Sequence, residues 1–306
     1  MEPNREECPP IDSGPYMAGW SCDEFTDFGD VQKAYIIFGY CAKSFQLIVF
    51  SILLFHILIQ SCFSDKKVSK LSLLITVFCQ LNAVFAITRI HATFPGQFEE
   101  QKRKLARASF YIESVCFFGA IWIFSLKQYE TATDLKFLLD QDTLTSSSRS
   151  SMKKRKRSCD LWRWSIFAII CIANLLMCFC FLTYSLKENP MIPLLTSIGF
   201  AILTLVVLAV CILMTKALFL IAKIVTNSNS KSNLNRCFIA VQIIALLVWL
   251  TCWTFNGIFY LQHFKDETDY DPIRNLVIID TISFAANIFN LNVIAMAIYL
   301  SQKARL

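Results

Sequence analysis

Apolar residues run in seven long stretches along this chain, and polar or charged residues gather between them. The stretches cover residues 36–63, 71–94, 108–126, 164–186, 191–224, 237–261 and 276–300. Each is close to the ~20 apolar residues that an α-helix needs to cross a hydrocarbon layer of ~30 Å. A helix on the surface of a soluble domain has a polar face, whereas these segments are apolar on nearly every side. The pattern predicts an all-α polytopic membrane protein with seven transmembrane helices.

The charges between the stretches predict its orientation, because Lys and Arg are kept on the cytoplasmic side of a membrane. The segments at 1–33 and 264–274 are acidic, whereas those at 64–70, 127–163, 225–236 and 302–306 are basic. We therefore expect an extracellular N-terminal tail (1–33), a transmembrane domain (34–301) and a short cytosolic C-terminal tail (302–306). One connection disagrees, since the second loop should be extracellular and yet is basic: Lys102, Arg103, Lys104 and Arg107.

Composition leaves little room for a separate soluble domain. Hydrophobic residues make up 55% of the chain and charged residues 17%, whereas soluble domains are ~25% charged.

The one long connection, 127–163, begins as a polar, partly helical continuation of the third stretch. A serine-rich segment at 146–151 follows, and its composition does not suit a packed core, so we expect it to be mobile.

A basic run ends this connection and consists of Lys153, Lys154, Arg155, Lys156 and Arg157. It could hold the loop on anionic lipid, at about 1 kcal/mol for each charge. It could equally bind a cytosolic partner, or serve only as a topogenic signal. The sequence leaves these three interpretations open.

Three ionisable residues lie inside the predicted helices near their outer ends: Arg89, Glu113 and Asp280. Charged side chains are costly in lipid, so they usually mark a functional site or pair with one another. At 1.5 Å of rise per residue all three lie within about 10 Å of the outer surface, close to Trp253 and Asn256. They form either a polar ligand pocket or an Arg89–Glu113 pair that only fixes packing, with Asp280 in contact with water.

Two lysines inside apolar stretches, Lys43 and Lys216, are expected to matter less. A lysine can extend its aliphatic stem along a helix and keep its ammonium group in the interface. We therefore expect both side chains to reach water.

The N-terminal tail contains two cysteines, Cys8 and Cys22. An oxidising extracellular compartment could join them in a disulfide. The bridge and two free thiols are both compatible with the sequence. Most other cysteines fall inside the apolar stretches, where cysteine behaves as a small hydrophobic residue.

Enzyme chemistry finds little support in the sequence. A catalytic zinc site needs about three converging protein ligands, but His56 lies deep in the first stretch while His91 and His263 lie near the outer face. The chain has no HExxH or GxSxG motif, and the last stretch has no Lys to hold retinal and no His to bind metal. We therefore expect no enzymatic activity, cofactor, metal or nucleic-acid partner.

The predicted architecture resembles that of the G-protein-coupled receptors over about 270 residues. The motifs of the rhodopsin-like class are missing, since the third stretch ends in Leu126-Lys127-Gln128-Tyr129-Glu130 where an acidic-Arg-Tyr triplet would stand. The seventh stretch also has no Asn-Pro-x-x-Tyr motif. The resemblance implies a divergent group of receptors.

The second stretch also resembles the matching helix of the tobamovirus-multiplication and lysosomal orphan seven-helix family. In that family a basic residue precedes the helix and an Arg closes it, as Lys70 and Arg89-Ile90-His91 do here. This resemblance covers one helix. It implies a membrane hub that recruits small Arf-like GTPases.

Together these features favour a receptor-like protein of the plasma membrane. An unknown external ligand would bind near Arg89, Glu113, Asn256 and Asp280 and bias the packing of the helices, and the connection at 127–163 would present a changed surface to a cytosolic signalling protein. The alternatives are a scaffold that recruits small GTPases or other cytosolic proteins, in the plasma or an endolysosomal membrane, and a channel or transporter. Because all eight prolines lie outside the stretches or at their margin, the broken helices of many transporters are not expected.

Overall fold

The structure, a computed structural model, describes residues 29–63, 69–92, 100–139, 146–182 and 191–227, and residues 240, 243–244, 246–251, 254, 290–291 and 293–294. The first five ranges contain five α-helices: α1 (Gly29–Phe63), α2 (Lys70–Ala92), α3 (Glu100–Leu139), α4 (Ser146–Leu182) and α5 (Met191–Asn227). Every other described residue except Ser69 is also helical, so this part of the chain contains no strand. The all-α prediction is confirmed there.

Each of the five helices contains a segment long and apolar enough to cross a membrane. These segments are Ile37–Ser61, Lys70–His91, Ala108–Phe137, Lys156–Leu176 and Ala201–Ile221. They overlap the first five predicted stretches in order, which confirms those five by length and composition. The predicted stretches at 237–261 and 276–300 lie mostly outside the described residues, although the described positions within them are helical. The chain therefore has the features of an integral multi-pass membrane protein.

Contacts at both ends of α2 and α3 show that these two helices run antiparallel. Near the start of α2, Ser72 Oγ accepts a hydrogen bond of 2.8 Å from Lys127 Nζ in the second half of α3. Near the end of α2, Arg89 Nε donates a hydrogen bond, also of 2.8 Å, to Glu113 Oε2 in the first half of α3. Consecutive membrane helices joined by a short connection are expected to run in opposite directions, as these do.

The start of α2 is fixed by an N-cap. Ser69 Oγ accepts a hydrogen bond from the Ser72 backbone N–H (3.4 Å), and the Ser69 carbonyl accepts one from the Leu73 N–H (3.1 Å). A serine in this position satisfies a backbone donor that the first turn of a helix leaves without a partner. The same hydroxyl accepts a hydrogen bond from Lys127 Nζ at 3.1 Å, so the cap also joins α2 to α3.

Helix α3 is the central element of the described bundle. Of its membrane-spanning segment 78% is buried, against 22% to 44% in the other four helices, and it packs against α2, α4 and α5. Residues 116–126 are all buried. Aromatic and aliphatic side chains stand on every side of this part of α3, and the neighbouring helices pack against them. The Phe117 ring contacts Trp249 of the sixth predicted stretch edge to face, with the ring centroids 5.6 Å apart.

The close approach of α3 and α4 depends on Gly119. A Cβ atom at this position would lie 2.7 Å from Cε2 of Phe167 in α4, which is well inside van der Waals contact. The Phe167 ring is itself stacked on Phe78 of α2, with the centroids 5.5 Å apart. A residue without a side chain therefore lets three helices meet at this point, as small residues commonly do in membrane bundles.

The connection between the third and fourth spans differs from the prediction. The expected continuation of α3 is present and ends at Leu139. Residues 146–163 form the first part of α4 instead, and they include the segment at 146–151 that we expected to be mobile. The last turns of this part are held by side chains of α3, because Arg163 is bound to Glu130 and to the Trp122 indole. These partners are far apart in the sequence, so composition alone did not indicate them.

Candidate functional site

Arg89 of α2 and Glu113 of α3 form an ion pair between the two helices. Arg89 Nε donates to Glu113 Oε2 over 2.8 Å, and the two side chains are 12% and 11% exposed. The guanidinium group also lies over the Phe110 ring, 5.7 Å from its centroid, where the ring quadrupole attracts a cation. Of the arrangements that the sequence allowed, these two residues adopt the direct pair.

Lys43 of α1 is the third charged member of this cluster, and its predicted contact with water was wrong. The residue is 1% exposed. Its Nζ donates a hydrogen bond of 2.8 Å to Asn82 Oδ1 and lies 3.8 Å from Glu113 Oε1. The lysine faces α2 and α3 because a partner is available there, and a buried charge without one is very costly. Lys216, in contrast, is exposed.

Asn82 connects the lysine to α3. Its Oδ1 accepts from Lys43, and its Nδ2 donates to the Glu113 backbone carbonyl over 2.9 Å. This residue was not among those predicted from the sequence. The available signal was a pair of amide residues, Gln80 and Asn82, in the middle of an apolar span, since such side chains often form hydrogen bonds between membrane helices. We refer to Lys43, Asn82, Arg89 and Glu113 as the Glu113 network.

The Glu113 network lies inside the membrane-spanning part of the bundle. Asn82 is about 15 Å from Ala92 at the end of α2, at 1.5 Å of rise per residue. One turn further along α1 from Lys43, Gln46 is fully buried, and neither polar atom of its side chain has a hydrogen-bond partner within the described structure. Buried polar groups usually have partners. This region therefore has hydrogen-bonding capacity that ordered water or a polar ligand group would satisfy.

The geometry of this network suits the binding of a polar group. Two cationic side chains and one carboxylate hold three helices together, so a polar ligand group could compete for either partner of the Arg89–Glu113 pair. In a low-dielectric interior, removal of one member leaves the others buried without their counter-charge. Among the described residues no group of three or more His, Cys, Asp or Glu side chains could hold a metal ion.

A second ionic cluster, the Arg163 network, lies toward the other end of α3. Arg163 of α4 is 2% exposed. Its Nη2 donates to Glu130 Oε2 of α3 over 3.1 Å, and its Nη1 donates to Asp160 on its own helix. Its backbone carbonyl accepts a hydrogen bond of 3.1 Å from Trp122 Nε1. These residues were not among those predicted from the sequence, because Glu130 and Arg163 lie in the connection at 127–163, which was expected to be polar and not to pack.

The structure describes only some of the other predicted site residues. The ones that lie outside the described residues are Trp253, Asn256, Asp280, Cys8 and Cys22. The basic run lies on α4, where Lys154, Lys156 and Arg157 are exposed and the backbone of Lys153 and Arg155 is helical.

No protein-family model and no curated protein matches this chain.

Proposed function

We propose that this chain is a receptor-like protein of the plasma membrane that transmits an external signal to a cytosolic partner. The proposal rests on one observation: the central helix α3 contributes an acidic residue to an ionic network near each end of its membrane-spanning segment, Ala108–Phe137. Glu113 binds side chains of α1 and α2, and Glu130 binds Arg163 of α4. The two acidic residues are about 25 Å apart along the helix axis.

This arrangement suits transmission because both networks depend on the position of one helix. A ligand with a polar group that competes for Arg89 or Glu113 would weaken the hold of α1 and α2 on α3. A ligand can shift a conformational equilibrium only by its differential affinity for the two states, and replacing an interhelical ion pair supplies such a difference. A small rotation or shift of α3 would then strain the Glu130–Arg163 contact at the far end.

The predicted orientation supports the same direction of signalling. It places the Glu113 network in the outer half of the bundle, near the predicted positions of Trp253, Asn256 and Asp280, which complete the proposed ligand site. The Arg163 network and the basic run are then at the cytosolic side. A cytosolic partner would meet the ends of α3 and α4.

Hydrogen–deuterium exchange on the full chain in nanodiscs tests the coupling without a known ligand. We expect Glu113→Gln to raise amide exchange several-fold in peptides covering residues 127–139, which lie more than 20 Å from Glu113 along α3, and in peptides covering residues 150–163 of α4. Lys216→Gln is the matched control, since it removes an exposed charge from a span outside both networks, and it should leave these peptides unchanged. If Glu113→Gln affects only peptides near residues 82–113, the two networks are independent and the receptor proposal fails.

A membrane scaffold is the second candidate, and the exposed basic residues of α4 favour it. Lys154, Lys156 and Arg157 could bind an acidic surface of a small GTPase or another cytosolic protein with no external ligand. In that case Glu113→Gln should not change the amount of partner captured by the chain in nanodiscs, while charge removal on α4 should abolish it. The channel or transporter alternative has no comparable observation in its favour.

A further inference from the structure

Helix α4 carries an exposed stripe whose chemistry changes along its length. Successive members of the stripe are three, four or eight residues apart, so they share one side of the helix. It consists of Lys154, Arg157, Leu161, Trp164, Ile172 and Leu175. The four apolar members are strongly exposed, from 48% for Trp164 to 70% for Leu161. Two cations therefore come first, Leu161 and Trp164 follow, and Ile172 and Leu175 come last.

This order matches the layers of one membrane leaflet. Trp side chains favour the boundary between hydrocarbon and headgroups, and Ile172 and Leu175 lie in the second half of the apolar segment Lys156–Leu176. At 1.5 Å of rise per residue, Arg157 lies about 6 Å and Lys154 about 10 Å from Leu161, the first apolar member of the stripe, in the opposite direction. The headgroup region of a leaflet is about 5–8 Å thick. The flexible side chains of both cations can therefore reach the phosphate layer.

We propose that the stripe on α4 is a binding site for an anionic phospholipid of the leaflet at the amino-terminal end of this helix. In the predicted orientation this is the cytoplasmic leaflet, which is rich in anionic lipid. The ammonium group of Lys154 and the guanidinium group of Arg157 are one turn apart and can bind the same phosphate. The acyl chains would lie along Leu161, Trp164 and Ile172.

The charges around the stripe favour this occupant. Neither Lys154 nor Arg157 forms an ion pair with any described residue, and the stripe itself contains no acidic side chain. The nearby carboxylate, Asp160, is bound to Arg163, whose buried side chain marks the side of α4 that faces α3. Both cations are therefore available to an external anion.

Lys156 provides a matched control. It is exposed and lies within the same basic run. A helix turns by about 100° per residue, so Lys156 lies about 160° from Lys154 and about 100° from Arg157, on the side of Arg163. Replacing it removes the same charge from the protein without removing a member of the stripe.

Quenching of tryptophan fluorescence by brominated lipids tests the proposal on the full chain. Trp162 and Trp164 are 58% and 48% exposed, whereas Trp122 and Trp249 are buried, and Trp164→Phe identifies the signal that arises from the stripe. We expect brominated phosphatidylserine to quench Trp164 more strongly than brominated phosphatidylcholine at equal mole fraction. Lys154→Gln and Arg157→Gln should each lower this preference by up to about fivefold, and Lys156→Gln by less than twofold.

Two results would overturn the proposal. The first is equal quenching of Trp164 by the two lipids in the unmodified chain. The second is a loss of preference in Lys156→Gln as large as in Arg157→Gln, which would show a general attraction to net charge without a site. Because Glu113 takes no part in this measurement, its outcome is separate from that of the receptor proposal.

Discussion

Replacing Glu113 by Gln removes the one carboxylate that the described part of the Glu113 network contains. Coulomb attraction across the Arg89–Glu113 distance of 2.8 Å is about 6 kcal/mol at an effective dielectric constant of about 20. The Lys43–Glu113 distance of 3.8 Å gives about 4 kcal/mol on the same basis. Desolvation of the charges offsets much of this attraction. Breaking such a pair nevertheless costs about 3–5 kcal/mol, because the remaining charges stay buried.

We expect Glu113→Gln to lower the free energy of unfolding by about 3 kcal/mol, the lower end of that range, because both paired side chains retain slight exposure to solvent. Arg89→Gln should have an effect of similar size. The double variant should be destabilised by at least about 1 kcal/mol less than the sum of the single variants, because two amides can form a neutral hydrogen bond.

Reversible unfolding in mixed micelles, followed by tryptophan fluorescence during titration with sodium dodecyl sulfate, measures all three variants. Lys216→Gln serves as the control, and removal of this exposed charge should change the free energy by no more than about 0.5 kcal/mol. Additive effects of the two single substitutions, within about 0.3 kcal/mol, would refute the reasoning, since the side chains would then not depend on each other.

Two further predictions use the same unfolding assay. Asn82→Leu should cost about 2–3 kcal/mol, because it removes the acceptor of Lys43 and leaves a buried ammonium group with one fewer partner; an unchanged midpoint would show that Asn82 is dispensable to the lysine. Gly119→Ala should cost about 1–3 kcal/mol through overlap with Phe167, and adding Phe167→Leu should restore part of the loss. A Gly119→Ala variant as stable as the unmodified chain would contradict the close packing of α3 and α4.

The sequence was sufficient to identify the charged residues that stand out against their surroundings. Arg89 and Glu113 are conspicuous because a charge in an apolar stretch is rare, and their positions near the same end of two adjacent spans indicated that they could meet. The five described spans follow from the length of apolar sequence alone. The spans depend on local composition, and the meeting of Arg89 and Glu113 depends also on the alternation of helix direction.

Lys43 and Asn82 could not be identified by the same reasoning. Lys43 is close enough to the end of its span to reach water, so its depth is compatible both with contact with water and with burial between helices. The outcome depends on the rotation of α1 about its own axis, which is set by packing against α2. An amide inside a span, such as Asn82, indicates a hydrogen bond but does not identify its partner, and only the structure shows that it lies opposite the lysine.

The connection at 127–163 was misjudged for a related reason. Serine and basic residues give little indication of order by themselves. Arg163 and Glu130 stabilise the two helix ends only after the chain has folded back, so the contact that orders this segment is not visible in any short window of sequence.

The hydrogen bond between Lys43 and Asn82 has a consequence for the biosynthesis of this protein. Helices α1 and α2 precede Glu113 in the chain and reach the membrane first, so a cationic side chain enters the translocon ahead of its carboxylate. Asn82 belongs to the first helical hairpin and offers an acceptor to this side chain at once. The amide can therefore hold the lysine between the two helices until α3 arrives, which spares this side chain a stage in lipid without a hydrogen-bond acceptor.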